Sequence, residues 1–194
     1  MNIKQIRVYQ GPNIFSHKPV VKLEIELGEL VDVPTCDIAG FNEKLIELFP
    51  GLKEHKCSLG YAGGFVKRLN EGTYLAHVIE HLCLEIQKSL GFDIKFGKTR
   101  NIKDDIYQIV YGCNNPAICK ACGFSAVDIV GAIIEKRNFD IEQEMVKLKE
   151  LCVRYSLGPS TQAVVNEAIK RGIPVNEIAN SGMIRLGYGK YQKY

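Results

Sequence analysis

The run of residues 73–90 constrains this chain most. Leu75, Val78, Ile79, Leu82, Cys83 and Ile86 recur at helical spacing and form one apolar face. Gly91 follows as a natural C-terminal cap. A helix of this length must bury that face, so the rest of the chain has to supply a sheet or further helices to cover it. His77, Glu80, His81, Glu85, Gln87 and Lys88 fill the opposite sector. Among them His77-Val78-Ile79-Glu80-His81 reads H-x-x-E-H, the inverted zinc-protease order. Residues i and i+4 lie one turn apart on the same face. Two imidazoles so placed can converge on one metal, with Glu80 beside them to polarise a bound water. The same residues also suit the solvated face of an ordinary amphipathic helix, and a catalytic metal needs a third protein ligand that the motif does not contain. Both readings stand at this level.

The chain has 194 residues, of which 46% are hydrophobic and 24% charged, enough to bury a core of ordinary size. A net charge of +3 is too small to argue for nucleic acid, and aromatic and basic residues do not interleave as in an RNA-binding surface. The N-terminus alternates like a strand and lacks the apolar region of a signal peptide. No run of about 18 apolar residues is present, so no membrane span is expected. Seven scattered cysteines suit reduced thiols in a cytoplasm better than a disulfide framework. Cys113, Cys119 and Cys122 form C-x5-C-x2-C, but a closed zinc site wants four ligands and no fourth lies nearby in sequence.

Residues 3–10 and 20–27 read as strands, the second through the alternation of Val21, Leu23, Ile25 and Leu27 with Lys22, Glu24 and Glu26. Residues 41–48 have helical spacing and stop at Pro50-Gly51. Residues 53–72 read as irregular and glycine-bearing, with Gly63-Gly64 a tight turn before a strand or a point of close ligand approach. Residues 96–100 read as a loop and 105–111 as a strand. Helices are expected from Ser125 to about residue 137, over 140–155, and over 161–170 behind a Ser160 cap. The pattern predicts an α+β fold with a small mixed sheet packed with helices around the central amphipathic helix. A first domain is expected over 1–155 and a tail over 156–194.

Several segments together resemble the N-terminal region of bacterial cyanophycin synthetase. They are residues 7–13 (RVYQGPN), 63–65 (GGF), 71–73 (EGT), the H-x-x-E-H of 77–81, 96–100 (FGKTR), 107–111 (YQIVY), 156–161 (SLGPST), 170–174 (KRGIP) and 186–189 (LGYG). They run in order over nearly the whole chain. The resemblance implies a polymer-binding, metallopeptidase-like domain over 1–155, then a linker and the first elements of an ATP-grasp domain. It implies a parent ligase that uses ATP and magnesium to extend a poly-aspartate backbone bearing arginine, with neither bound by this stretch, which carries no G-x-x-x-x-G-K-[ST] loop. The implied partners are that polymer, the rest of the synthetase chain and further copies of it, with no nucleic acid and no membrane.

On the same resemblance, His77 and His81 would be zinc ligands and Glu80 the general base of an internal cleavage that makes primers. The third ligand would be a carboxylate of the 140–155 helix: Asp140, Glu142, Glu144 or Glu150, with Glu142 favoured and Glu144 next. Arg68, Lys98 and Arg100 would receive polymer carboxylates beside Gly63 and Gly64, and Glu71 or Glu85 would receive guanidinium. The alternative is a domain without metal that only tethers polymer or scaffolds an oligomer.

Overall fold

The computed structural model describes residues 1–178 and 183–194, which fall into two compact units, Met1–Cys152 and Val153–Tyr194. In the first, strands β1 (Asn2–Tyr9), β2 (Val20–Glu26), β3 (Gly97–Lys103) and β4 (Ile106–Gly112) form one sheet in the order β1-β2-β4-β3. The class is α+β, but the sheet expected to be mixed is antiparallel throughout. Register sets the inner face. Val21, Leu23 and Ile25 of β2 lie opposite Tyr111, Ile109 and Tyr107 of β4, and β3 adds Gly97 and Thr99 to the same rows. Because side chains alternate along a strand, Lys98 and Arg100 fall on the other face, where the Arg100 guanidinium donates to Gln108 Oε1 at 3.4 Å.

Helices α1 (Phe41–Leu48), α2 (Gly64–Glu71), α3 (Leu75–Ser89), α4 (Pro116–Ile134) and all but the last two residues of α5 (Ile141–Arg154) complete this unit. Helix α3 packs on β3, β4, α4 and the 3-10 turn Pro50–Glu54, so it is enclosed on almost all sides. Glu80, His81, Glu85 and Gln87, expected on a solvated face, are buried with the apolar residues. Helix α4 is long and apolar enough to cross a membrane by length and composition. Half of it is buried, with Ile118, Cys119, Ala126, Ile129 and Val130 in the core and the helix packed on α3, β1 and β2.

Three elements depart from their sequence expectation. The 53–72 stretch contains α2, which buries Phe65 and Leu69. Gly63 starts it from a left-handed conformation, and a Cβ on Gly64 would overlap the Lys56 carbonyl oxygen, so the pair serves close packing of helix on turn. Residues 97–103 form a strand, not a loop; as an edge strand, β3 buries little and shows no apolar alternation. Helix α4 begins nine residues before Ser125. Asn115 is its cap, accepting from the amides of Ala117 and Ile118, and Pro116 takes the first helical position. Ser125 lies inside it and donates to Glu144 Oε1 at 2.6 Å.

The second unit holds helix α6 (Pro159–Lys170) and a hairpin of β5 (Val175–Ile178) and β6 (Met183–Leu186), closed by a bridge from Leu186 to Lys193. Val165 and Ala168 are its buried apolar residues.

The Gly64 contact yields the first prediction. Gly64→Ala should lower stability by about 1–3 kcal/mol, because the added methyl meets backbone that cannot swing aside. Thermal or denaturant unfolding of the two proteins reads this directly.

Candidate metal centre

Two segments meet at the centre of the first unit. Helix α3 presents His77 and His81 one turn apart. The 3-10 turn Cys57–Leu59, held against the start of α2, presents Cys57. The ligand atoms of Cys57, His77 and His81 lie within 4.8 Å of one another, and among the described residues this is the one such grouping of three or more His, Cys, Asp or Glu donors. Cys57 Sγ is 3.3 Å from His77 Nε2, and His77 Nδ1 is 2.9 Å from Thr73 Oγ1. Cys57 has φ of +51°, a left-handed conformation that costs a side-chain-bearing residue energy and is often found at functional sites. Phe65 stacks on the His81 ring at 4.1 Å between centroids.

Burial sets the charge of these groups. Removal from water lowers the His77 pKa from 6.5 to about 4, helped by the Arg68 cation, and lowers His81 to about 2, helped by His77 and then His55. Both imidazoles are therefore neutral near pH 7, the form that ligates metal. Glu80 moves the opposite way, from 4.5 to about 7, because burial penalises its charge; the hydrogen bond from Thr99 acts against this. Thr99 Oγ1 donates to Glu80 Oε2 at 2.6 Å. Glu80 Oε1 lies over Gly97, where a Cβ would displace it.

These residues line a cleft of about 870 Å³, in the range of ligand pockets. Its walls carry both signs of charge: Lys56, Arg68, Lys88 and Lys95 against Glu54, Glu80 and Asp93. Tyr74 and Tyr107 flank it, their ring centroids 6.2 Å apart. A donor set of one thiol and two neutral imidazoles suits zinc, and three protein ligands are what a catalytic zinc site uses.

The sequence-derived site is thus only partly assembled. His77, Glu80, His81 and Arg68 share the cleft. Glu142 is exposed in the first turn of α5, Glu144 is held by Ser125 and Lys147, and neither joins the histidines; Cys57 does. Arg100 borders the cleft but turns its guanidinium to Gln108, and Lys98 is exposed on the same outer face of β3. Gly63 and Gly64 do not line it. Glu71 is exposed, and Glu85 is buried against His55. Cys113, Cys119 and Cys122 are buried thiols at the start of α4, with Cys119 Sγ donating to Gln87 Oε1 at 3.0 Å. Sequence reasoning missed Cys57, His55 and Thr99. The signal for the first two was His55-Lys56-Cys57, a pair of metal-ligand residue types in a stretch otherwise read as a turn.

Comparison with known proteins identifies the family. The family model for the cyanophycin synthase-like N-terminal domain matches residues 22–135. The cyanophycin synthetase of Trichormus variabilis is 39% identical over the whole of this chain, as is that of a Nostoc species; that of Crocosphaera subtropica is 36% identical. The chain spans 22–23% of the length of these relatives.

The raised pKa of Glu80 has a consequence for stability. A folded-state value of about 7 against 4.5 means that folding favours the protonated acid. This contribution is complete below pH 4.5 and is lost as pH rises through 7. Glu80→Gln cannot titrate, so between pH 4.5 and 8 the metal-free wild type should lose on the order of 3 kcal/mol relative to it. Denaturant unfolding of both proteins across that range measures the difference, and the histidine contributions cancel because both proteins share them.

Proposed function

Because this chain belongs to the cyanophycin synthase-like N-terminal domain family, we propose that it holds the cyanophycin polymer in the α3 cleft and cuts it internally at a zinc site of Cys57, His77 and His81. The grouping of those three donors in one cleft with Glu80 carries the reading. Zinc, when bound, makes a water acidic enough to attack a peptide carbonyl near neutral pH. Glu80 would take the proton of that water at Oε1, the oxygen that Thr99 leaves free. Thr99 holds the carboxylate in place.

A polymer of aspartate bearing arginine offers carboxylate and guanidinium groups in alternation, and the cleft offers both complements. Arg68 is placed to take a carboxylate, with Glu54 or Asp93 for a guanidinium. A groove that grips an extended chain on both sides of the cut yields short oligomers, which can serve as primers. ATP-dependent extension belongs in this proposal to the longer protein, of which the relatives give the scale.

Each role has a distinct signature. Purified protein should contain about one zinc per chain, lost in His77→Ala and Cys57→Ala but kept in Glu142→Ala. Glu80→Gln should keep the metal and stop cleavage, since an amide cannot accept the proton. Arg68→Ala should weaken binding of short aspartate-arginine oligomers by about 1.5–3 kcal/mol. Metal analysis, chromatography of digested polymer and titration calorimetry check these outcomes. Intact polymer after long incubation with a zinc-loaded protein would leave only the holding role.

A further inference from the structure

A buried carboxylate remains outside that chemistry. Glu85, one turn after His81 on α3, is 6% exposed. Its Oε2 is 2.8 Å from His55 Nε2, and His55 Nδ1 is in turn 2.8 Å from His81 Nδ1. Lys88 Nζ stands further off, at 3.9 Å from the same carboxylate oxygen. The niche is built for this arrangement. Gly51, in the 3-10 turn Pro50–Glu54 that leads directly into His55, lies so close to the carboxylate that any Cβ there would overlap Glu85 Oε1 and Cδ.

Proton bookkeeping along this row has one solution when the carboxylate accepts and the His55 ring is neutral. His55 Nε2 donates to Glu85, so in a neutral His55 ring Nδ1 carries the lone pair. His81 Nδ1 must then be the donor, which leaves the lone pair of His81 on Nε2. We propose that Glu85 and His55 are a positioning pair that fixes His81 as its Nδ1–H tautomer and so leaves Nε2 as the metal-binding atom. Neither residue touches metal or polymer in this scheme. They act on His81, as a carboxylate or carbonyl behind a ligating histidine commonly does, here through a second imidazole. In the same scheme Thr73 Oγ1, 2.9 Å from His77 Nδ1, would accept from it and free Nε2 toward Cys57.

The inference deepens the zinc reading and depends on it in one arm of its test only. In the first arm, nitrogen-15 NMR of the histidine rings in the metal-free protein reports the tautomers. The expected spectrum has His81 protonated at Nδ1 and His55 at Nε2, and in His55→Ala the His81 proton redistributes toward Nε2. Wild-type His81 protonated at Nε2 overturns the proposal whether or not zinc binds. In the second arm, zinc affinity is measured by competition with a chromophoric chelator. His55→Ala and Gly51→Ala should each weaken it about 10–100-fold, while Glu85→Gln, whose amide oxygen can still accept from His55, should retain most of it. Unchanged affinity in a folded His55→Ala protein overturns the positioning role. Absence of zinc binding by wild type overturns the zinc reading and leaves the tautomer assignment to the first arm.

Discussion

Everything in the first unit depends on enclosing α3. The helix has β3 and β4 on one side, α4 on another and the Pro50–Glu54 turn on a third. Its apolar residues account for only part of its circumference. The enclosure therefore also removes Glu80, His81, Glu85 and Gln87 from water, and each buried polar group costs free energy unless it finds a partner. The partners are specific. Thr99 meets Glu80, His55 meets both His81 and Glu85, and Gln87 donates to the Cys83 carbonyl while accepting from Cys119.

The candidate site is what that satisfaction produces. Burial is the main cause that holds His77 and His81 neutral and raises Glu80 toward neutrality, so the proposed ligand and proton-transfer roles draw on the same desolvation. The surroundings make room for it with small residues. Gly97 lets Glu80 lie against β3, and Gly64 lets the Cys57 turn dock on α2. Cys57 completes the group at the expense of a left-handed backbone, which the packing on both sides of the turn sustains.

Legibility in the sequence followed the strength of local pattern. Helix α1 matches its expected bounds, and β2, β4, α3 and α5 lie within a residue or two of theirs, because strict alternation or helical spacing survives burial. Edge strand β3 was not legible, since Gly97, Thr99 and Asn101 make up its inner face and none carries an apolar side chain. The glycines of 60–64 hid α2, and Ser125 reads as the cap of a helix that starts at Asn115-Pro116. The α5 acids were expected near the metal only on the family resemblance, and spacing along α5 says nothing of which way that helix faces.

What the sequence determined by itself is the α+β class, the family, and the placement of His77, Glu80 and His81 on one helix, since all three are properties of local order and spacing. What only the tertiary structure decided is the company those residues keep: Cys57 20 positions before His77, Thr99 on the neighbouring strand, and the Glu85–His55 row behind His81. The physical reason is that a ligand group is a meeting of side chains in space. Packing of the sheet and turns around α3 brings such groups together across any distance in sequence, and no periodicity along the chain encodes that meeting.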